Sequence, residues 1–305
     1  MDQKVLLLGN CGAGKTSMRS IIFANYGSRD THLLSPTFDV DHAQVQFLGN
    51  MTLNIWDCGG QDKFLQETFT KRSQEVFTGV ALLIFVFDVN SQQVDTEWNI
   101  FKTSLDLLHQ YSPSSQIFIL VHKMDLVQGS KTEKLEIYKT YISRYIPLDS
   151  VKIFGTSIWD ETLYEAWSCV VQSLIPDMKL LKNELSLLKT YCEAEEVILF
   201  EKTTFLVLTY CTSTANLDNY RFEKISNIIK QFKLECSHSH SNFEGMTIKS
   251  NNTLIHMSTY TKNTTIMFIC NSKKTNETFI SYNVKESCQR VDDEVQSNKN
   301  IIHLY

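Results

Sequence analysis

The chain has 305 residues, of which 43% are hydrophobic, so its length and composition allow two folded domains, each with its own core. The formal net charge of −5, without any block of five or six like charges, argues against binding to nucleic acid or to anionic membranes in general as the main function. Eight scattered cysteines without a CxxC pair argue against a zinc site and a disulfide framework.

A phosphate-binding loop follows the first predicted strand. Residues 9–16 read GNCGAGKT, which is the GxxxxGK[ST] spacing, and they stand between the apolar run 4–8 and a helix-like stretch at 17–23. Inward-pointing N–H groups and the Lys15 ammonium would surround two adjacent phosphates, and the Thr16 hydroxyl would ligate the magnesium ion between them. We expect nucleotide contacts from the whole loop and the residue after it: Gly9, Asn10, Cys11, Gly12, Ala13, Gly14, Lys15, Thr16 and Ser17.

The next predicted elements are a mobile polar loop and a β-hairpin. The loop covers 27–32 and leads to residues 35–40, and strand-like runs at 38–47 and 51–56 flank Gly49-Asn50, a favourable hairpin turn. The second strand leads directly into residues 57–61, Asp-Cys-Gly-Gly-Gln.

Residues 57–61 carry further candidate site residues. Asp57 ends a strand at the distance from the phosphate loop where a carboxylate usually holds the magnesium ion through water. Gly60 frees the backbone to approach a γ-phosphate, and Gln61 could orient an attacking water. Alone, D-x-x-G-Q would be most often a surface turn, but after a phosphate loop and a hairpin it favours a catalytic role.

Alternating strands and helices predict the fold of this half. The apolar runs 80–89 and 116–121 are typical of parallel strands buried on both faces, and the amphipathic stretch 96–111 between them predicts a crossover helix. A strand at 151–154 and a helix at 161–174 complete an α/β doubly wound domain. Ligands of such sheets bind at the carboxyl ends of the strands.

Two loops at those strand ends are predicted to read a base. Residues 122–125, His-Lys-Met-Asp, resemble the guanine-reading NKxD motif of small GTPases. The Asp125 carboxylate can accept from N1–H and the exocyclic amine of guanine, a donor pair that adenine lacks, while the Lys123 stem would lie along the base. His122 replaces an amide that usually ties the base to the phosphate loop. Ser157 and Ile158 belong to the second loop, where the Ile158 N–H is expected to donate to guanine O6.

The second half predicts an α+β domain without a catalytic constellation. A helix, two strands, a helix, three strands and a helix are expected at 177–196, 196–200, 203–211, 217–236, 245–249, 254–260, 264–270 and 275–291. His238 and His240 have no third ligand nearby and predict a solvated turn. We therefore expect a first domain at 1–176, a second at 177–297 and a disordered tail at 298–305.

These motifs together resemble a known family. Residues 4–175 are similar to a Ras-like GTPase, and several stretches narrow the resemblance to Rag/Gtr GTPases of the A/B type. Those stretches are SIIFANY at 20–26, FLGN at 47–50, WDCGGQD at 56–62, HKMDLV at 122–127 and TSIWDE at 156–161. By this resemblance the second half is a roadblock-type dimerisation domain behind an α/β P-loop GTPase domain with a mixed, mostly parallel sheet.

The resemblance also implies an activity and partners. It implies a slow, activator-dependent GTPase that binds GTP or GDP and Mg²⁺, with Gln61, Lys15 and Thr37 as catalytic residues and Thr16, Thr37 and, through water, Asp57 at the metal. It implies a heterodimer with a C/D-type Rag through the C-terminal domain, a scaffold complex on the vacuole or lysosome, a GTPase-activating complex and signalling of amino-acid sufficiency to TOR complex 1. Without a signal peptide or an apolar span, we expect a cytoplasmic chain with a further nuclear location, held on the membrane by its scaffold.

Two other functions stay open on the residues alone. A metabolic P-loop enzyme such as a nucleotide kinase would leave Asp125 unexplained, and no acceptor-substrate site is visible. A non-hydrolysing scaffold subunit that keeps nucleotide for stability would need no role for Gln61.

Cys11 stands where Ras-like loops have glycine, so we expect an arginine-finger activator to approach this chain differently.

Overall fold

The structure, a computed structural model, describes residues 2–24, 26–37, 39–46, 52–175, 178–212, 221–238 and 245–302. The chain divides into two compact units, Met1–Val170 and Val171–Tyr305. The division falls inside a helix, whereas the sequence predicts a boundary at 176. The predicted turn at Gly49-Asn50, the predicted helix stop at Pro176 and His240 lie outside the described residues.

The first unit is built on one six-stranded sheet with the order β2-β3-β1-β4-β5-β6. Only the pair of β2 and β3 is antiparallel among the strand pairs of this sheet. The strands are β1 (Asp2–Gly9), β2 (Val40–Gln46), β3 (Thr52–Cys58), β4 (Val80–Asp88), β5 (Gln116–His122) and β6 (Val151–Thr156). The sheet is therefore mixed but mostly parallel, as the sequence predicts.

Helices follow the strands as crossover connections. They are α1 (Lys15–Phe23), α2 (Asp62–Thr70), α3 (Ser73–Phe77), α4 (Val94–Tyr111), α5 (Lys131–Ile142) and α6 (Thr162–Leu174). The central strand β4 shows why its sequence is almost continuously apolar: every residue from Leu82 to Phe87 is buried, because both faces of the strand are covered. Because these strands run parallel, the carboxyl ends of β1, β3, β5 and β6 share one edge of the sheet.

The second unit is an antiparallel α+β domain. Its five-stranded sheet has the order β8-β7-β11-β10-β9. The elements are α7 (Met178–Tyr191), β7 (Ala194–Glu201), β8 (Val207–Thr212), α8 (Arg221–His238), β9 (Met246–Lys249), β10 (Thr253–Thr261), β11 (Thr264–Asn271) and α9 (Glu277–Ile302). Helix α7 packs against β7, β8 and α9, and α8 against β8. One core cluster lies under Ile229 of α8 and includes Phe200, Phe205 and Met267.

One sequence-based prediction needs correction. Residues 28–33 form a 3₁₀ helix, although a mobile loop is predicted over 27–32. The helix is held by Asp30, whose carboxylate accepts from the Gly27 N–H at 3.2 Å, and by the Thr31 hydroxyl, which donates to the Ser28 carbonyl at 2.9 Å. Helix α9 ends at Ile302, and residues 303–305 lie outside the described part, so the disorder expected for 298–305 stays a prediction.

Some absences also bear on function. Among the helices that the structure describes, none is long and apolar enough to cross a membrane. Within the same described ranges, no group of three or more His, Cys, Asp and Glu side chains could hold a metal ion. All eight cysteines are free thiols.

Candidate functional site

A cavity of about 220 Å³ opens at the carboxyl edge of the first unit's sheet. Three chain segments line it: the loop between β1 and α1, the segment before β2, and the turn after β3. The lining includes nine of the predicted site residues, namely Cys11, Gly12, Gly14, Lys15, Thr16, Ser17, Thr37, Gly60 and Gln61. The structure therefore brings the phosphate-loop candidates together with the two segments predicted to sense a γ-phosphate.

Close backbone contacts explain the glycines of the loop. A Cβ atom on Gly9, which has a φ of 146°, would lie 2.3 Å from the Val86 carbonyl oxygen of the neighbouring strand. Gly14 has a φ of 93°, and a Cβ there would lie 2.6 Å from the His122 ring. The His122 side chain therefore contacts the phosphate loop, although it lacks the amide that the NKxD motif has at this position. The ring Nδ1 is also 2.9 Å from the Thr156 hydroxyl.

Lys15 is buried with its ammonium at the centre of the loop. Its Nζ donates to the carbonyl oxygens of Gly9 at 2.8 Å and Asn10 at 2.9 Å. Burial lowers the pKa of Lys15, and the nearby Asp57 carboxylate opposes that change. The ammonium is thus desolvated and held in place inside the loop, which is the arrangement that makes a cation attract anionic ligands most strongly.

Two hydroxyl groups from distant segments meet beside this lysine. The Oγ1 atoms of Thr16, in the first turn of α1, and Thr37, before β2, are 2.8 Å apart. Both residues are predicted ligands of a metal ion. Their contact shows that the segment around Thr37 is folded against the phosphate loop.

Asp57 presents an unpaired oxygen at the end of β3. The residue is fully buried, and its Oδ2 accepts a hydrogen bond from Arg19 Nε at 3.2 Å. Its Oδ1 has no hydrogen-bond partner of ordinary geometry among the described residues. Burial raises the pKa of Asp57, while the Thr16 hydroxyl, Lys15 and Arg19 oppose the rise. A buried acceptor oxygen without a protein partner costs free energy, so Asp57 Oδ1 is suited to contact a ligand or a water molecule.

The turn after β3 is pressed against the phosphate loop. A Cβ on Gly60 would lie 2.3 Å from the Cys11 nitrogen, so only glycine permits this approach. The Gly59 N–H donates to the Asp39 carbonyl at 2.9 Å and connects the turn to the segment before β2. The Gln61 Oε1 is buried and has no partner in the part of the chain that the structure describes. Cys11 is exposed at the cavity.

The candidate base-reading residues lie in the loops after β5 and β6. These strands pair with each other, so their following loops are neighbours. Asp125 is exposed, and its Oδ1 accepts from the Ser157 hydroxyl at 2.6 Å. The Trp159 N–H donates to the same Ser157 oxygen at 3.1 Å. Lys123 has a left-handed φ of 64°, and its Nζ donates to Asp88 Oδ2 at 2.5 Å.

Sequence reasoning missed several residues that support these side chains. Asp88 fixes Lys123, and its position at the carboxyl end of a buried strand could have indicated a site residue. Glu97 is buried on α4 and accepts from the Asp88 N–H at 3.1 Å; burial raises the pKa of Glu97 to about 7. Asn10, whose Nδ2 donates to Gln93 at 3.3 Å, is buried behind the loop rather than lining the cavity. No local pattern predicts the contacts of Glu97 or Arg19.

Comparison with known proteins gives consistent results over most of the chain. A family model described as the Gtr1/RagA G protein conserved region matches residues 4–229. Over 302 residues the chain is 43% identical to Ras-related GTP-binding protein A of Dictyostelium discoideum, which covers 98% of this chain and 100% of that protein. Over 304 residues it is 42% identical to GTP-binding protein GTR1 of Saccharomyces cerevisiae, covering 93% of this chain and 96% of that protein.

A weaker similarity extends to a second kind of GTP-binding protein. The chain is 24% identical over 225 residues to Ras-related GTP-binding protein C of Homo sapiens, which covers 71% of this chain and 55% of that protein. The identity to the A-type and GTR1 proteins is much higher than to the C-type protein. The A/B-type resemblance that the sequence motifs indicate is therefore confirmed.

Proposed function

The chain belongs to the Gtr1/RagA family of G proteins, which are GTP-binding GTPases, and from this premise we propose that it is a guanine-nucleotide switch and one half of a Rag heterodimer. The observation that carries the proposal is the meeting of three separate segments at one cavity. There the buried Lys15 ammonium, the paired hydroxyls of Thr16 and Thr37, and the unpaired Gln61 Oε1 converge. A Gly-rich turn without a ligand would not leave such groups buried.

Guanine specificity is assigned to the loops after β5 and β6. The free acceptor positions of the Asp125 carboxylate would take the N1–H and the exocyclic amine of guanine, while its Oδ1 is held by Ser157. The Ile158 N–H would donate to guanine O6. Asp88 supports this assignment because it fixes the Lys123 stem that would lie along the base.

The oxygen atoms near Thr16 fit a magnesium ion. Mg²⁺ prefers hard oxygen ligands, and two hydroxyl oxygens at 2.8 Å and the unpaired Asp57 Oδ1 supply them. Thr16 and Thr37 would hold the ion directly and Asp57 through water. When bound, it would neutralise charge on the β- and γ-phosphates.

Three side chains would carry out hydrolysis and the conformational switch: Lys15, Gln61 and Thr37. Lys15 holds the phosphate charge, and Gln61 would accept from the attacking water and orient it, because its Oε1 has no other partner in the described ranges. Loss of the γ-phosphate would release Thr37 and the segment before β2. Hydrolysis without an activator would be slow, on the order of 10⁻⁴ to 10⁻² per second as in related switches.

The second unit is proposed to form the heterodimer with a C-type Rag. The sheet of this unit has the short strand β9 at one edge, and Ile248 of that strand is 53% exposed. Helix α8 exposes Ile228 and Phe232, which are one turn apart, at 65% and 55%. An edge strand and an apolar helix face can extend a sheet and pack against a similar domain. The existence of relatives of the C type, similar over part of the chain, supports the choice of partner.

The cellular role follows by analogy with the Rag family. We propose that the heterodimer binds a scaffold complex at the vacuole or lysosome, responds to a GTPase-activating complex, and signals amino-acid sufficiency to TOR complex 1. The chain would be cytoplasmic and peripheral to that membrane, with a nuclear pool as a second location.

The test is purification of the full chain with its endogenous partner, followed by chromatography of the released nucleotide. We expect guanine nucleotide and a second chain of C type. Release of adenine nucleotide would instead favour a metabolic P-loop enzyme. Thr16→Asn should lose magnesium-dependent GTP binding and Gln61→Leu should remain in the GTP form, so the two variants should differ in effector binding. If Gln61→Leu changed neither hydrolysis nor partner binding, the chain would be a non-hydrolysing scaffold subunit.

A further inference from the structure

A hydrogen bond joins two loops that are 130 positions apart in the sequence. The Ser28 hydroxyl donates to the carbonyl oxygen of Ile158 at 2.6 Å, and both residues are partly buried. Ser28 is the first residue of the 3₁₀ helix, which precedes Thr37 in the chain. Ile158 lies in the loop that is proposed to read guanine. The bond therefore connects the base end of the site, which is formed by the loops after β5 and β6, with the segment before β2 that carries Thr37.

On the Ser28 side, the bond continues to the wall of the cavity. The Ser28 carbonyl accepts from the Thr31 hydroxyl at 2.9 Å, and Thr31 lines the cavity. The Gly27 N–H, just before the helix, is held by the Asp30 carboxylate at 3.2 Å. These local hydrogen bonds hold residues 27–31 in one conformation. A displacement of Ser28 would therefore also displace Thr31.

On the other side, the bond restrains the residue that would contact guanine O6. The neighbours of Ile158 are held within their own loop: Ser157 by Asp125 and Thr162, and Trp159 by Ser157. The Ile158 carbonyl is held from outside by Ser28. The peptide plane that contains the Ile158 carbonyl is thus held at two points, by Ser28 and through the Trp159 N–H. Only the φ and ψ rotations at one Cα atom separate that plane from the Ile158 N–H, so fixing the plane restrains the N–H.

We propose that Ser28 is a specificity-determining residue, whose hydroxyl positions Ile158 to recognise the O6 atom of guanine. Binding energies of this kind are reciprocal, so a guanine that occupies Ile158 also holds the 3₁₀ helix against the cavity. The proposal rests on the proposed guanine-binding role of Ile158. It adds a link between base recognition and the segment before Thr37.

The test compares two nucleotides on the full-length chain. GDP carries O6, whereas 6-thioguanosine diphosphate has the same N1–H, amine and phosphates but carries sulfur, a much weaker acceptor, in place of O6. Dissociation rates of both are measured by displacement from wild type, Ser28→Ala and Ser28→Thr. Ser114→Ala is the control, because Ser114 is exposed and lies outside the cavity.

Loss of the Ser28 hydroxyl should speed GDP release by about threefold to tenfold, the value of one net hydrogen bond. Release of the 6-thio nucleotide should change by less than about twofold, since its sulfur makes only a weak contact with the Ile158 N–H. Ser28→Thr keeps the hydroxyl and should return GDP release to within about twofold of wild type. Ser114→Ala should match wild type with both nucleotides.

Two results would overturn the proposal. Equal acceleration of both nucleotides would mean that Ser28 only supports the fold of the segment, and no acceleration of GDP release would mean that the bond has no role in recognition. A failure of the proposed function looks different: wild type itself would then release GDP as fast as it releases ADP.

Discussion

The two ends of the candidate site differ in the burial and hydrogen bonding of their polar side chains. At the phosphate end, Asp57 Oδ1 and Gln61 Oε1 are buried and have no partner in the described residues. At the base end, Asp125 is exposed and Lys123 is partly exposed, yet each already has a protein partner, Ser157 and Asp88 respectively. The phosphate end thus keeps two buried acceptor oxygens that a ligand could use, whereas the side chains of the base end are held by protein partners.

This difference separates affinity from specificity. Buried acceptor oxygens without partners cost free energy, and a metal ion with its bound water, or the attacking water, would remove that cost because water can donate to them. The phosphate end should therefore dominate binding strength and make stability depend on the ligand. Preorganised groups at the base end lose little entropy on binding and reject a base with the wrong donors. The four predictions below test this division.

The largest expected effect is at the phosphate end. Lys15→Met should lower GDP affinity about 1000-fold, because two charge-assisted hydrogen bonds to phosphates, each about 2 kcal/mol, are lost. Titration with a fluorescent nucleotide measures the affinity. The matched control is Lys102→Met, which removes an exposed lysine of α4 and should bind as wild type. An affinity loss below about tenfold would show that the phosphate end does not dominate binding.

The next effect is at the base end. Asp125→Asn should lower GDP affinity about 100-fold, because the amide presents its own N–H groups to a guanine donor. Xanthosine diphosphate carries a carbonyl in place of the guanine amine and should bind the variant better than wild type does. Competition titration with both nucleotides gives the ratio. Asp106→Asn, at an exposed position on α4, is the control. If the ratio did not change, the base end would not determine specificity.

The sequence predicts the phosphate end better than the base end for a physical reason. The spacing of Gly9, Gly14 and Lys15 reflects local backbone geometry, which is encoded in consecutive residues. The strand β4 is equally clear, because burial on both faces requires a continuous apolar run. Such features need no knowledge of the rest of the chain.

The supports of the base end depend on contacts between distant positions. Asp88 and Lys123 are 35 positions apart, and Ser28 and Ile158 are 130 apart. Neither pair leaves a periodic signal in the sequence. The 3₁₀ helix at 28–33 was missed because six residues are too few to show helical periodicity, although Asp30 and Thr31 are residue types that form local hydrogen bonds.

A smaller effect is the pH dependence of stability that comes from His122, whose ring lies between the base-reading loops and Gly14 of the phosphate loop. Burial lowers the pKa of His122 to about 4, from about 6.5 in the unfolded chain. The unfolded chain therefore takes up a proton between these values and the folded chain does not. Acidification from pH 7 to pH 5 should lower the free energy of unfolding by roughly 2 kcal/mol through His122.

The contribution of His122 is measured as a difference between variants. Glu97, whose pKa is raised to about 7, has the opposite dependence over the same range, so wild type alone would show a reduced slope. His122→Asn should remove only the histidine part. All four tryptophans lie in the first unit, so their fluorescence reports its unfolding in urea at each pH. Gln110→Asn, which changes an exposed side chain that does not titrate, should keep the wild-type slope. Identical slopes for wild type and His122→Asn would contradict the prediction.

The smallest expected effect lies at Cys11, where the phosphate loop is open to a partner. The side chain is exposed at the cavity, whereas the Cys11 nitrogen is in close contact with Gly60. Cys11→Gly should therefore leave GDP affinity within about threefold of wild type, because the lost side chain pairs with nothing that the ligand needs. It should raise hydrolysis stimulated by an arginine-finger activator by a few-fold, since it gives the finger more room. Cys11→Ser keeps the size of the side chain and should respond like wild type in a single-turnover hydrolysis assay. If Cys11→Gly changes neither intrinsic nor stimulated hydrolysis, this position does not limit the activator, and the exposed rim of the phosphate end is simply tolerant of a small residue.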